Sequence, residues 1–344
     1  MRVLLTGAAG FIGSRVHAAL AAAGHDVVGV DAMLPAAHGS DPVLPPDTRR
    51  VDIRDADALA PLLDGVDLVC HQAAMVGAGV NAADAPAYGS HNDFGTCVLL
   101  AQMFAAGVRR LVLASSMVVY GQGRYDCPVH GPVEPLARRR QDLDAGVFEH
   151  RCPACGVPVA WRLVDEDTPL RPRSLYAAGK TAQEHYGLAW SESTGGSVLA
   201  LRYHNVYGPG MPRDTPYSGV AAIFRSALEK GDPPPVFEDG DQMRDFVHVD
   251  DVAAANVAAV QAEADGFTAV NVCSGQPISI LQVATELCGA RGDGAAPVVT
   301  GGYRRGDVRH IVADPARAVD VLGFRATVDP REGLHDFAFA PLRG

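Results

Sequence analysis

The stretch MRVLLTGAAGFIGSRVHAALAAAGHDVVGVD, at residues 1–31, decides the fold class. An apolar run at 2–6 ends at a glycine, which is typical of a buried strand. The alanine-rich run at 11–23 predicts a helix that a further glycine ends. A second apolar run at 27–30 ends at Asp31. The order strand, glycine turn, helix, strand predicts a parallel, doubly wound α/β sheet of the Rossmann type.

The same alternation continues along the chain. Apolar runs at 66–71 and 110–114 predict two further strands, and the run at 91–106 predicts a long helix between them. The stretch 121–165 has no clear periodicity and reads as an insertion. After about residue 200, prolines break the chain into loops and short elements.

These observations predict two units. Residues 1–200 would form a dinucleotide-binding Rossmann domain that carries the insertion 121–165. The chain would return to this domain at about 245–265. Residues 201–344 would form mainly a smaller C-terminal substrate-binding lobe.

The glycine turn has the spacing of a dinucleotide site. Gly7 permits a tight turn, Gly10 lets the backbone approach a pyrophosphate, and Gly13 allows close helix–strand packing. Asp31, at the end of the second strand, is placed to accept hydrogen bonds from the adenosine ribose. A carboxylate there also repels a 2′-phosphate, so the sequence favours NAD over NADP.

A tyrosine and a lysine four residues apart predict acid–base chemistry. Tyr176 and Lys180 share one face if this stretch is helical. A free tyrosine has a pKa of about 10, and a nearby ammonium lowers it toward the range of a useful base. Ser116, at the end of a predicted strand, could hydrogen-bond the same substrate oxygen.

The insertion contains a C-x2-H pair followed by a C-x2-C pair. Cys127, His130, Cys152 and Cys155 therefore predict a closed, structural zinc site, with His150 as a substitute for His130. The other reading is a chance cluster without metal.

Composition excludes some classes of function. The formal net charge of −11 argues against a nucleic-acid partner. The sequence starts with a strand rather than a leader and has no apolar run long enough for a membrane span, so we expect a cytoplasmic protein without a membrane partner.

The sequence resembles the extended short-chain dehydrogenases/reductases, the NAD-dependent nucleotide-sugar epimerases and dehydratases, over nearly its whole length. The motifs that carry this resemblance are GAAGFIG at 7–13, HQAA at 71–74, SSMVVYG at 115–121, YAAGK at 176–180, RYHNVYGP at 202–209, RDFVHVDDVA at 244–253 and YRRGD at 303–307.

The resemblance implies roles for individual residues. The cofactor-binding set it implies is Gly7, Gly10, Phe11, Ile12, Gly13, Asp31, Asp52, Ile53, Ala73, Asn92, Tyr176 and Lys180. The substrate-binding set it implies is Ser116, Met117, Asn205, Arg244 and Arg304. Within these sets, Asp52 and Ile53 would flank the adenine, and Asn92 would support a network of water and lysine. The two arginines and Asn205 would contact the diphosphate of a nucleotide sugar or its surroundings.

Two positions narrow the reaction. Met117 and Val118 stand where the family's dehydratases carry acidic residues, and its decarboxylases carry an acid at a matching site, so both reactions are disfavoured. The C-x2-C insertion, PYSGVAAIF at 216–224 and FEDGDQMRDFVHV at 237–249 resemble the dTDP-L-rhamnose 4-epimerases. The resemblance implies 4-epimerisation of a dTDP-6-deoxyhexose through a 4-keto intermediate.

Other functions stay open at this point. They are an NAD(P)H-dependent dTDP-4-keto-sugar 4-ketoreductase, a UDP-hexose or UDP-hexuronate 4-epimerase and, from another class, a non-catalytic dinucleotide-sensing protein. The resemblance also implies a homodimer, paired through the helices predicted near 91–106 and 176–192.

Overall fold

The structure is a computed structural model that describes residues 1–38, 44–77, 81–213, 219–292, 294–304 and 306–343. Residues 216–218 of PYSGVAAIF and residue 305 of YRRGD lie outside the described residues. Within the described ranges, no helix is both long enough and apolar enough to cross a membrane.

The described residues form short and long strands and α-helices that follow one another along the chain. The strands are β1 Arg2–Thr6, β2 Asp26–Asp31, β3 Thr48–Arg50, β4 Leu68–His71, β5 Arg110–Ser116, β6 Arg124–Cys127, β7 Gly131–Val133, β8 Ala160–Arg162, β9 Ser197–Tyr203, β10 Asn205–Tyr207, β11 Pro235–Val236, β12 Met243–His248, β13 Phe267–Val272, β14 Pro277–Ser279 and β15 Val298–Val299. The α-helices are α1 Phe11–Ala22, α2 Pro35–His38, α3 Ala56–Leu59, α4 Ala85–Tyr88, α5 Gly95–Ala105, α6 Arg140–Asp144, α7 Leu175–Thr194, α8 Val220–Lys230, α9 Val249–Gln261, α10 Ile280–Arg291, α11 Ala316–Leu322 and α12 Pro330–Phe337.

The main sheet has seven strands in the order β13-β9-β5-β4-β1-β2-β3, and each neighbouring pair is parallel. The predicted Rossmann-type doubly wound sheet is therefore confirmed. Because parallel strands end on one edge of the sheet, the Gly7 turn, Asp31 and Ser116 all face that edge.

One detail differs from the sequence prediction. The helix expected over 91–106 begins instead as a π-helical segment at Gly89–Phe94 and becomes α-helical only at Gly95. The stretch expected to rejoin the first unit, at about 245–265, contains α9, and β13 at Phe267–Val272 then adds a strand beside β9. The division into two units with the expected bounds stays a prediction.

The insertion is more regular than its sequence pattern indicates. Strands β7, β6 and β8 form an antiparallel sheet of three strands, and the short helix α6 follows β7. Tyr125, Cys127, Cys152 and Val159 form its small buried cluster. Strands this short carry too little alternation to be recognised from sequence.

The later part of the chain builds its own apolar core. Helices α8, α10 and α12 pack around β12 and β14, with Phe224, Phe246 and Phe337 among the buried side chains. Helix α9 returns to the main sheet and packs against α1. The later part therefore lies beside the strand-end edge of the main sheet.

Candidate active site

The glycine turn leaves no room for side chains at two positions. Gly7 has a φ of +70°, and a Cβ there would lie 2.7 Å from the backbone nitrogen of Ala73. A Cβ on Gly13 would lie 1.9 Å from the carbonyl oxygen of Gly7. Gly10 is the N-cap of α1, so the first amides of that helix, at Phe11 and Ile12, open toward the turn. This is the arrangement that a pyrophosphate requires.

Asp31 is the last residue of β2 and lies beside the same turn. Its carboxylate accepts hydrogen bonds from the amides of Ala9 at 3.0 Å and Met33 at 2.8 Å, and His38 Nε2 lies 3.2 Å from Oδ1. Burial alone would raise the pKa of Asp31, but His38 and the two amides outweigh it and lower this pKa. The group is therefore an ionised acceptor at neutral pH.

The next pair of implied cofactor residues lies beside α5. Asp52 accepts a forked hydrogen-bond set from Arg54, which lowers the pKa of the carboxyl. Ile53 is buried, and a Cβ on Gly95 would come within 2.8 Å of its side chain. The glycine therefore lets α5 pass directly over Ile53.

Asn92 lies in the π-helical segment and is fully buried. Its side-chain oxygen accepts from the amide of Met75 at 2.7 Å, and its amide donates to the Met75 carbonyl at 2.9 Å. A Cβ on Gly179 would lie 3.5 Å from the Asn92 side chain, so α7 runs close to it. The structure thus places Asn92 between the chain that follows Ala73 and the helix that carries Lys180.

Ser116, Tyr176 and Lys180 come together where β5 meets α7. Ser116 is the last residue of β5, and Tyr176 lies in the first turn of α7, whose N-cap Ser174 accepts from the amide of Ala177 at 3.1 Å. The Ser116 side chain lies close enough to the phenol of Tyr176 to act on its pKa, which it lowers.

The surroundings shift the titration of both α7 residues. Burial raises the pKa of Tyr176 to about 12, although the nearby Ser116 side chain opposes this rise. Burial lowers the pKa of Lys180 to about 7, against the attraction of Glu184. A phenolate would therefore form near neutral pH only if an additional positive charge beside Tyr176 lowered the pKa of its phenol.

A buried polar network beneath the pair was missed by the sequence analysis. His71 Nδ1 lies 2.7 Å from Thr6 Oγ1, and His71 Nε2 lies 3.0 Å from Thr96 Oγ1. Gln183 donates to the hydroxyl of Thr96 at 2.7 Å. Burial lowers the pKa of His71 to about 3, so its ring is neutral. The HQAA motif contains His71, but only the tertiary contacts identify its partners.

A second missed group holds α7 against the sheet. Glu184 is buried and takes two hydrogen bonds from Arg202, at 2.7 and 3.0 Å, and one from Ser115 at 2.5 Å. Arg202 also donates to the hydroxyl of Tyr120 at 2.9 Å. Glu184 lies four residues after Lys180 on α7, and this spacing was the available signal.

Tyr88 completes the surroundings of the candidate base. Its ring lies 6.3 Å from that of Tyr176, centroid to centroid, and is fully buried. Nothing in the sequence pattern singled it out.

One cavity brings together three implied substrate residues, Asn205, Arg244 and Arg304. Its other lining residues are Val220, Ile223, Phe224, Pro235, Phe237, Glu238, Gln242, Ile280, Asp307 and Val308. The guanidinium of Arg304 lies 5.5 Å from the centre of the Phe237 ring. Arg244 donates to the carbonyls of Val308 at 2.5 Å and Arg309 at 3.0 Å.

Met117 lies beside this cavity rather than in its lining. It is in the short 3-10 turn that follows Ser116, and it packs in an apolar cluster that includes the cavity residue Val308.

The four candidate metal ligands converge in the insertion. Ligand atoms of Cys127, His130, Cys152 and Cys155 all lie within 4.8 Å of one another. The Nδ1 of His130 is 3.5 Å from both the Cys127 and Cys152 sulfurs, and the sulfurs of Cys127 and Cys155 are 3.7 Å apart. His150, the substitute ligand, lies outside this group, because its Nε2 pairs with Gln122.

The chain is similar to known proteins over most of its length. The sequence model of the NAD dependent epimerase/dehydratase family matches residues 3–141 and 157–273. Cys152 and Cys155 lie between the two matched stretches.

Individual relatives cover nearly the whole chain. A dTDP-L-rhamnose 4-epimerase from Burkholderia thailandensis is 34% identical, over 97% of this chain and 93% of its own. The structure of a Thermotoga maritima UDP-glucose 4-epimerase with UDP-glucose is similar with a TM-score of 0.80, at 27% identity over 98% of this chain and 97% of that one. A Thermus thermophilus UDP-glucose 4-epimerase complex with NAD is similar with a TM-score of 0.76, at 30% identity over 98% of both chains. The chain therefore belongs to the NAD-dependent epimerase/dehydratase family.

Proposed function

We propose that the protein catalyses 4-epimerisation of a nucleotide-activated sugar, with a dTDP-6-deoxyhexose of the dTDP-L-rhamnose type as substrate. The observation that carries the proposal is the placement of Ser116, Tyr176 and Lys180 at the strand-end edge of a Rossmann sheet. A cavity lined by Asn205, Arg244 and Arg304 supplies the donors that a diphosphate needs.

Each of the three residues would have its own role in the reaction at C4 of the sugar. Ser116 would hold the C4 oxygen, and ionised Tyr176 would take the proton of the C4 hydroxyl as a hydride leaves the same carbon. Lys180 would stabilise the phenolate by its charge. The resulting 4-keto sugar turns in the pocket, and Tyr176 gives its proton back to the oxygen when hydride returns to the other face.

The glycine turn and Asp31 fit NAD. Only glycine fits at positions 7 and 13, and Asp31 is an ionised acceptor that would repel a 2′-phosphate. Bound there, NAD would supply the acceptor and donor of hydride. Asp52, Ile53, Ala73 and Asn92 would complete the site, and no net oxidation of substrate would occur.

The choice of sugar nucleotide rests on similarity to the dTDP-L-rhamnose 4-epimerase from Burkholderia thailandensis. A UDP-hexose 4-epimerase is the second candidate, because the similar Thermotoga structure holds UDP-glucose. Either reaction would use Ser116, Tyr176 and Lys180 of this chain in the same way, so the cavity that receives the nucleotide has to discriminate between the two substrates.

The test is incubation of the purified protein with dTDP-L-rhamnose, without added nicotinamide, followed by proton NMR of the sugar. We expect a mixture of the substrate and its C4 epimer. An unchanged spectrum contradicts this substrate, and UDP-glucose is then tested in the same way. Consumption of NADH with a dTDP-4-keto sugar, in the absence of epimerisation, would identify a ketoreductase instead.

We also propose that Cys127, His130, Cys152 and Cys155 hold a structural zinc ion. Tetrahedral zinc with these ligands requires separations of roughly 3.4–3.8 Å between ligand atoms, from the usual Zn–S and Zn–N lengths. The His130 Nδ1 distances to the Cys127 and Cys152 sulfurs, 3.5 Å each, and the Cys127–Cys155 sulfur distance of 3.7 Å fall in this range, and all four ligand atoms lie within 4.8 Å of one another. Burial alone would raise the pKa of the Cys127 thiol, but amide and His130 hydrogen bonds lower it to about 6, which favours a thiolate.

A homodimer is the remaining part of the proposal. Helices α5 and α7 lie side by side and expose apolar groups, with Phe104 57% and Tyr186 44% exposed. Pairing of these two helices with those of a second copy would bury this surface. Light scattering that gives the mass of a monomer would contradict it.

A further inference from the structure

The zinc-ligand insertion, residues 121–165, supplies none of the residues that line the cavity of Arg244 and Arg304. It nevertheless contacts both chain segments that form one wall of that cavity, 237–239 and 303–309. These contacts are charged, and three of the side chains in them, Arg138, Glu238 and Arg309, are buried, which is unusual for an insertion that lies only on the surface.

The centre of these contacts is Arg309, which is fully buried. Its guanidinium donates to Glu149 of the insertion at 2.5 and 2.8 Å. It also donates to Glu238 at 2.9 Å and to Asp239 at 2.7 and 2.8 Å. Every nitrogen of this guanidinium therefore has a carboxylate partner, and Glu149 connects the insertion directly to the wall.

A second insertion arginine supports the same wall. Arg138 lies 2.7 Å from the Glu238 carboxylate, with side-chain exposures of 6% and 2%. It also donates to the carbonyl of Asp307 at 2.8 Å. Glu238 has a φ of +54°, a conformation that a glutamate rarely adopts without support. The ion pairs with Arg138 and Arg309 provide that support, beside Phe237 and the Arg304 guanidinium that lies over its ring.

The same segment holds the proposed diphosphate residue. Arg244 donates to the carbonyls of Val308 and Arg309, so the position of its guanidinium follows the position of that backbone. Near the surface, Tyr303 donates to Asp144 of the insertion at 2.6 Å, next to Arg304.

We propose that the insertion is a positioning element for the nucleotide cavity, acting through Arg138 and Glu149 on Arg244 and Arg304 without touching the ligand. This rests on the proposed function, which makes the cavity the nucleotide-sugar site. The insertion residues then set affinity for the nucleotide diphosphate, whereas Tyr176 and Lys180 set the rate of the chemical step.

The experiment measures binding of dTDP and of UDP to the intact protein by calorimetry, beside steady-state kinetics with the sugar nucleotide that is turned over. Glu149→Gln and Arg138→Met each remove one charge from the network. We expect the Kd for the preferred nucleotide and the KM to rise roughly tenfold, because each variant loosens the wall that carries Arg244 and Arg304. The kcat and the ratio of epimers at equilibrium stay as in the wild type.

Two matched variants separate positioning from general stability. Arg162→Ala breaks an exposed ion pair with Asp126 in the same insertion, so its Kd should equal that of the wild type. Arg138→Lys keeps the charge and should recover part of the affinity lost in Arg138→Met. If Arg138→Met does not fold, Tyr303→Phe removes only the hydroxyl that bonds Asp144, a separate contact between the insertion and the segment 303–309, and should still raise the Kd measurably.

If Glu149→Gln and Arg138→Met fold and bind the nucleotide with the Kd of the wild type, the positioning role is overturned. If neither variant folds, an unchanged Kd in Tyr303→Phe overturns it. A fall in kcat with unchanged Kd would overturn it as well. A wild-type protein that binds neither dTDP nor UDP would instead overturn the assignment of the cavity, and the proposed function with it.

Discussion

The ammonium of Lys180 donates a hydrogen bond of 2.7 Å to the carbonyl oxygen of Ala114, on the strand that ends in Ser116. This bond fixes the position of the lysine beneath the Ser116–Tyr176 pair, although the two partners lie on different elements. It also holds a group that would be charged at neutral pH in water inside the protein.

That burial predicts a dependence of stability on pH. Because the pKa of Lys180 is lowered from 10.5 to about 7, the unfolded chain binds a proton that the folded protein lacks between these two values. The free energy of unfolding should therefore gain a rising contribution as pH increases from about 7 to about 10.5, and lose it as pH falls back to about 7. Urea unfolding of the wild type and of Lys180→Met across this range checks it, since the variant should lack the contribution. Equal slopes in the two proteins would contradict the lowered pKa.

Removal of the Tyr176 hydroxyl should abolish the proton transfer but not the fold. We expect Tyr176→Phe to lose about 10²- to 10⁴-fold in turnover, the usual contribution of a positioned acid–base group. Its content of bound NAD should match the wild type, because the glycine turn is unchanged. A non-catalytic dinucleotide sensor would keep its function in this variant, so retained function together with retained NAD would favour that class.

The contact between Gly13 and Gly7 predicts a local clash. Gly13→Ala would place a Cβ 1.9 Å from the Gly7 carbonyl, so the turn must shift, and we expect a destabilisation of about 1–3 kcal/mol or more and a loss of bound NAD. Gly289→Ala is the matched control, because this helical glycine has no heavy atom within 4 Å of the added Cβ. Thermal unfolding and the NAD content of the purified variants are the measurements, and an NAD content in Gly13→Ala equal to that of the control would refute the close approach.

The buried pair between Glu184 and Arg202 predicts a large effect from a small change. Glu184→Gln keeps the shape of the side chain but leaves the Arg202 guanidinium with an uncompensated charge, which costs about 3–5 kcal/mol at a buried site. The ion pair of Arg331 with the half-buried Glu286 at the surface gives the comparison, since Glu286→Gln should change the free energy of unfolding by no more than about 1 kcal/mol. Chemical denaturation of both variants measures their free energies of unfolding. A similar loss in the two variants would show that the buried pair contributes no more to stability than the surface pair.

The zinc proposal predicts metal content. Purified protein should contain about one zinc ion per chain, and Cys152→Ser should contain much less and unfold at a lower temperature. Cys97→Ser, which changes a thiol on α5 outside the ligand group, should keep the metal. Elemental analysis of the wild type without zinc would end this proposal.

The features that the sequence determined by itself are local ones. A buried strand, a glycine turn, a helix and an acidic strand end follow one another within the first 31 residues, and each has a short-range pattern. The four-residue spacing of Tyr176 and Lys180 is likewise a property of one helix. The knuckle spacing of Cys152 and Cys155 needs only a turn, and Gly156 has the positive φ that this turn requires.

Only the tertiary structure decided which distant residues meet. The placement of Ser116 against Tyr176, the choice of His130 rather than His150 beside the cysteines, and the contact of Glu149 with Arg309 all depend on how helices and loops return across the sheet. Hydrophobic periodicity and intrinsic propensity act on each helix or strand separately. The partners of a buried charged side chain such as Arg309 depend instead on which distant segments the packing brings within hydrogen-bond distance. The chemistry of the site could therefore be predicted from local pattern, but the network that positions its cavity became visible only once the chain was folded.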